Sequence, residues 1–165
     1  DFAEYQLTIK ENIQLGDIHR KISDDEVIEI LNKVGLYSFV ESLPLKENTI
    51  LGQINKGTEL SKGQWQRLSV ARLLANKNAK IWILDEPTAY LDPIAEIEMY
   101  EFIYSLKEDR TVIFISHRLG FAKRADRIVV FKEGHLIENG THEELLKDVT
   151  GEYARMYLKQ KKWYE

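Results

Sequence analysis

The 165-residue sequence contains no cysteine, which excludes a disulfide framework, a thiol nucleophile and any cysteine-ligated metal. It also suits a reducing compartment. Long apolar runs are missing too: the longest, such as 81–84 and 112–115, hold four residues. A bilayer-spanning helix needs about 20. There is no basic excess, because 23 Lys and Arg face 27 Asp and Glu for a net charge of −4. Nucleic-acid binders usually carry a basic stripe, so no nucleic-acid partner is expected. Three prolines and nine glycines are spread without a linker-like cluster, and no repeat or low-complexity tract occurs.

What is present is ordinary for a packed domain: 44% hydrophobic and 30% charged residues. A single unit of this length buries about 68–70% of its unfolded surface. The chain opens on Asp1, and we read it as beginning inside a longer product.

Texture changes near residue 76. Upstream the pattern is helical. Ser23 and Glu26 have capping-box spacing before Val27, Ile30, Leu31 and Val34, and Gly35 stands where a left-handed helix end belongs. A second helix is expected over 61–75. Downstream, strands and helices alternate. Residues 81–84 and 112–115 read as strands buried on both faces. Asp92-Pro93 opens a helix reaching about Leu106. Residues 128–131 and 135–138 flank Lys132-Glu133-Gly134 as a hairpin, and Thr141 and Glu144 form another capping box.

Three places carry chemistry. Asp85 and Glu86 end the apolar strand 81–84, where open α/β sheets put their ligands. A strand-end Asp suits Mg²⁺ held through water, and a Glu one step on suits a general base. The same pair also fits the start of a polar loop. Ser61-Lys62-Gly63-Gln64 has the spacing of a helix cap, whose free N–H groups and dipole suit a phosphate; an ordinary cap reads the same way. His117, at the end of the second apolar run, is placed to contact phosphate or water, or simply lies on the surface.

The three stretches LSKGQ (60–64), LDEPTAYLD (84–92) and ISHRL (115–119) occur in order and at domain-compatible spacing. Together they resemble the ATPase domain of an ABC transporter, of the exporter type, across essentially the whole chain. LSKGQ resembles the family signature and IWILDE the Walker B strand. Residues 89–92 resemble the D-loop, and His117 the switch histidine. TIKENI (8–13) is similar to the exporter segment after the Q-loop, and Gly134, Thr141 and His142 fit the exporter ending.

The resemblance implies an α/β fold. It is a partial P-loop NTPase (RecA-like) parallel sheet with an α-helical subdomain. Residues 1–75 would end the Q-loop and form the helical signature subdomain, and 76–165 the C-terminal part of the core. It further implies two such domains paired head to tail around ATP and Mg²⁺, driving a transmembrane domain from the cytoplasmic face of the membrane. Ser61, Lys62, Gly63 and Gln64 would then act on the partner's nucleotide, and Asp85 would organise the Mg²⁺ shell. Glu86 would be the general base, His117 would hold the γ-phosphate and attacking water, and Asp92 would link the two sites. Arg67 and Arg72 read as structural or interface-facing residues.

Two departures stand out. The phosphate loop G-x-x-x-x-G-K-[ST] is not in the sequence; its nearest imitation, 52–58, has Thr58 where Lys is required. We read 49–57 instead as a loop facing the membrane domain. Lys62 also replaces a glycine of the usual signature. The chain alone is therefore expected to bind MgATP weakly and not to turn it over, and its apolar strands are expected to favour self-association. The alternative readings are a soluble ABC-type ATPase acting on nucleic acid or ribosomes, and a non-catalytic module of the same fold. The opening stretch and GQWQRL lean toward exporters of peptides such as bacteriocins.

Overall fold

A computed structural model of the chain describes residues 3–52, 57–88 and 91–161. The chain divides into two compact units: Asp1–Pro87 with Leu106–Ile113, and Thr88–Ser105 with Phe114–Glu165.

The first unit is mainly helical. It holds α1 (Ile9–Gln14), α2 (Asp24–Lys33), α3 (Tyr37–Glu41), a 3₁₀ turn (Lys46–Asn48) and α4 (Lys62–Ala75). Local signals set most of the boundaries. Ser23 Oγ accepts from the Glu26 amide as its spacing predicts, but the return arm of that capping box is not made. The Glu26 carboxylate is instead held by Arg20, Nη1 to Oε2 at 2.8 Å and Nη2 to Oε1 at 2.6 Å, with Lys77 Nζ at 3.2 Å. Helix α2 closes as expected at Gly35, whose φ of +67° lets its amide reach the Asn32 carbonyl and that of Leu36 the Leu31 carbonyl.

Helix α1 packs on α4 around a buried polar knot. Asn12 is fully buried and donates to the carbonyls of Tyr5, Leu7 and Thr8. Its Oδ1 accepts from Arg72 Nη2 at 2.6 Å, while Arg72 Nη1 reaches the Ala3 carbonyl at 2.9 Å. Arg67 donates to the Val34 carbonyl at 3.0 Å. Both arginines of α4 thus satisfy backbone and core polar groups within the unit.

Strand β1 (Ile81–Asp85) leaves α4 through a short turn and pairs with β2 (Thr111–Ile115). Trp82 and Leu84 are buried, and the Arg110 guanidinium lies 5.0 Å from the Trp82 ring centre. Ile81, Ile83 and Ile113 are exposed, so these strands are covered on one face rather than two. The side-chain period of two sends alternate residues of each apolar run to the open side.

In the second unit, α5 (Pro93–Leu106) carries Tyr100 into a ring cluster. Tyr100 stacks on Phe121 at 5.0 Å and meets Phe114 edge-on at 4.9 Å. The hairpin of β3 (Ile128–Lys132) and β4 (His135–Gly140) turns through Glu133 and Gly134, both at positive φ, as a two-residue I′-type loop requires. Its register slips between Val130 and Phe131, leaving Ile137 as a bulge. Thr141 and Glu144 close a complete capping box on α6 (His142–Lys147). The last helix, α7 (Glu152–Gln160), has no side-chain cap from its own Gly151. The Glu138 carboxylate caps it from β4, accepting from the amides of Glu152 at 2.6 Å and Tyr153 at 2.9 Å.

Candidate functional site

Helix α4 begins with the capping box that the sequence spacing predicts. Gln64 N donates to Ser61 Oγ at 3.2 Å, and Ser61 N to Gln64 Oε1 at 2.8 Å. Both side chains are therefore spent on the helix's own backbone. What α4 offers outward is the remaining N–H groups of its first turn and its dipole, with Lys62 exposed on the tip. A Cβ built on Gly63 would meet nothing within 4 Å, so the backbone there lies open to a ligand's close approach. An N–H-rich, positively charged and open tip fits a phosphate group.

At the end of β1, Asp85 is exposed and Glu86 half-buried. Glu86 has φ +46°, a left-handed conformation that costs a non-glycine residue on the order of 1–2 kcal/mol. The next residue is anchored: the Pro87 carbonyl accepts from Gln66 Nε2 at 3.2 Å. Gln66 is only 2% exposed and comes from α4, so α4 and the carboxylate-bearing strand end are tied together inside the first unit. Sequence reading passed over Gln66. The signal was available, as a polar residue between Trp65 and Leu68 on the inner face. Among the described residues no cluster of three or more His, Asp or Glu is arranged to hold a metal. A strand-end carboxylate such as Asp85 suits an ion that takes its other ligands from phosphate and water.

Asp92 and His117 belong to the second unit. Asp92 Oδ1 caps α5, accepting from the amides of Ile94 at 3.0 Å and Ala95 at 3.1 Å. Ala89 and Tyr90, the first half of the expected D-loop, lie outside the described residues, as do residues 53–56 of the loop read at 49–57. His117 is exposed two residues after the end of β2, and its neighbours are held by hydrogen bonds. Arg118 Nη1 donates to the Leu91 carbonyl at 2.7 Å and to Glu96 Oε2 at 2.8 Å, and Glu96 is fully buried. The segment is also bound by Gln160. Its Nε2 donates to the His117 carbonyl at 2.7 Å, and its Oε1 accepts from the Leu119 amide at 3.0 Å. Neither Arg118 nor Gln160 was singled out from sequence.

The sequence model described as "ABC transporter" matches residues 1–89, more than half of the chain. The chain belongs to the ABC transporter family. Its fold is accordingly α/β of the P-loop NTPase class. A nisin transport ATP-binding protein of Lactococcus lactis subsp. lactis is 42% identical over 148 residues, covering 89% of this chain and 24% of that protein. An ATP-dependent lipid A-core flippase of Syntrophus aciditrophicus is 41% identical over 153 residues, covering 93% and 24%. The structure of a bacterial Atm1-family ABC exporter with ATP bound superposes with a TM-score of 0.79 at 34% identity, covering 97% of this chain and 27% of that one. The chain thus spans about a quarter of the length of the curated relatives it matches. Among its described residues no helix is long and apolar enough to cross a membrane.

Proposed function

We propose that this chain is the C-terminal part of the ATP-hydrolysing domain of an ABC exporter. On this reading residues 1–75 supply the end of the Q-loop and the helical signature subdomain, and 76–165 the Walker B, D-loop and switch-histidine part of the core. The observation that carries it is the tip of α4, a completed Ser61–Gln64 capping box with open backbone at Gly63. The likeness of almost the whole chain to an exporter holding ATP supports the choice of ligand.

MgATP, when bound, supplies the phosphoanhydride whose cleavage drives transport. The chain's own residues divide the rest of the work. The first-turn N–H groups of α4, with Lys62 and Gly63, bind phosphate oxygens of the nucleotide held by a second, head-to-tail domain, and Ser61 and Gln64 keep that helix end in shape. Asp85 would hold Mg²⁺ through water, and the ion would supply charge neutralisation at the phosphates. Glu86 takes a proton from the attacking water, and His117 holds that water and the terminal phosphate. Asp92 fixes the start of α5 and, beyond it, communicates between the paired sites. A transmembrane domain and a place at the cytoplasmic face of the membrane follow from the exporter reading.

Cargo does not follow with the same force. Relatives named for nisin and subtilin transport are 42% and 43% identical, yet one named as a lipid A-core flippase is 41% identical. A domain that never touches cargo carries little trace of it.

The test is Glu86→Gln in the full-length protein. Turnover falls by about a hundredfold or more, as expected for loss of a general base, while ATP binding persists. Undiminished turnover would remove Glu86 from this role. A salt-dependent affinity of the full-length protein for DNA or RNA would favour a soluble ATPase acting on nucleic acid instead.

A further inference from the structure

Gln160 stands 41 and 43 residues from the two backbone groups it binds, and it binds them as a pair. Its carboxamide donates through Nε2 to the His117 carbonyl and accepts through Oε1 from the Leu119 amide. This bidentate match fixes the segment's position and its orientation together, because an amide has one donor side and one acceptor side. The same segment is also held through its own Arg118, which donates to the Leu91 carbonyl and the buried Glu96 carboxylate. Ser116 Oγ adds a local bond to the Arg118 amide at 3.0 Å. Leu119 is itself buried.

We propose that Gln160 is a positioning residue for His117: its carboxamide, clamped across the His117 carbonyl and the Leu119 amide, sets the direction in which the imidazole leaves the backbone. The inference rests on the reading of His117 as the residue that holds phosphate and attacking water. It adds that α7 belongs to the working apparatus of the site. The anchor at the far end of that helix supports this. Glu138 fixes the first turn of α7 to β4, so Gln160 is presented by a helix restrained at both ends.

The test uses the full-length protein with four variants. Gln160→Leu removes both bonds at nearly constant volume. Gln160→Glu keeps an acceptor for the Leu119 amide and loses the donor to the His117 carbonyl. The others are His117→Ala and the double variant His117→Ala with Gln160→Leu. Amide exchange of the 116–121 segment is read without nucleotide, and ATP turnover with it. Gln160→Leu should speed exchange at Leu119 by about tenfold, the worth of one ordinary hydrogen bond. It should lower kcat by about tenfold or more with KM for ATP within about twofold, since a misplaced group costs rate rather than binding. Gln160→Glu should fall between Gln160→Leu and the parent in exchange and in kcat. In the His117→Ala background, Gln160→Leu should cost nothing further. Unchanged exchange, or a normal kcat in Gln160→Leu while His117→Ala is impaired, would overturn the proposal and leave the reading of His117 standing. A normal kcat in His117→Ala would overturn that reading, and the role of Gln160 with it.

Discussion

Gln66 Nε2 and the Pro87 carbonyl are joined by a 3.2 Å hydrogen bond that links α4 to the residue after Glu86. The other end of the carboxamide, Oε1, is buried with no hydrogen-bond partner among the described residues. Gln66 therefore makes one useful bond and buries one unsatisfied acceptor. Gln66→Leu removes both, so its stability should change by no more than about 1 kcal/mol. Its turnover in the full-length protein should nevertheless fall by about tenfold, because the strained backbone at Glu86 loses its downstream anchor. Thermal melts and steady-state ATPase rates separate the two effects. Equal turnover at equal stability would show that Pro87 holds its place unaided.

The Arg20–Glu26 fork predicts an acid-sensitive joint. Hydrogen bonds from Arg20, with Lys77 adding to them, hold the Glu26 carboxyl down to about 2 from an ordinary 4.5. A carboxylate depressed in the folded state contributes stability that is complete above the unfolded value and is lost as pH falls through the folded one. Glu26→Gln should thus be less stable than the parent at neutral pH, on the order of 1–2 kcal/mol. The gap should close between about pH 4.5 and pH 2. Denaturant titrations of both forms across that range test it. A gap independent of pH would assign the effect to packing.

The observed capping by Asp92 and the role proposed for it between paired sites separate by substitution. Asp92→Ala loses the cap of α5 and should cost about 1 kcal/mol of stability. Asp92→Ser keeps a capping oxygen and should melt close to the parent. If Asp92 also communicates between paired nucleotide sites, Asp92→Ser lowers turnover in the full-length protein despite its normal melting. Normal turnover would leave capping as its whole contribution.

The open face of β1 should make the isolated chain self-associate. Ile83 is 62% exposed, with Ile81 and Ile113 also exposed, and on the β3–β4 hairpin Phe131 is 68% exposed. Exposed apolar strand surface of this kind recruits a partner. Light scattering of the 165-residue chain should report species above the monomer mass, and Ile83→Lys should shift them toward monomer. A monomer at high concentration would contradict this.

The parts of the fold legible in sequence are those whose partners lie within a few residues. Ser61 with Gln64, Thr141 with Glu144, Gly35 after α2, and the Glu133-Gly134 turn all declare themselves at a spacing of one to three. The residues proposed for the site were picked out for the same reason, since 60–64, Asp85 with Glu86, and His117 each stand in a short stretch. What escaped is non-local. Gln66 reaches 21 residues along the chain, Arg118 reaches back 22 to Glu96, and Gln160 reaches back 43 to His117. Even a correct spacing fails when a distant competitor is stronger. Glu26 gives up its half of a capping box because Arg20 offers a charged, two-bond fork in place of one amide.

The two anchors of α7 make that helix a gauge of angle as well as of length. Glu138 fixes where its first turn starts, at Glu152, and eight residues later Gln160 must face the His117 segment. Each residue of helix turns the next by about 100° and advances it about 1.5 Å. Side chains on the outer surface of α7 are free to drift. A single insertion or deletion between the anchors would swing Gln160 by more than a quarter of a turn and release the His117 segment, so the length of α7 matters to that segment as much as any residue in it.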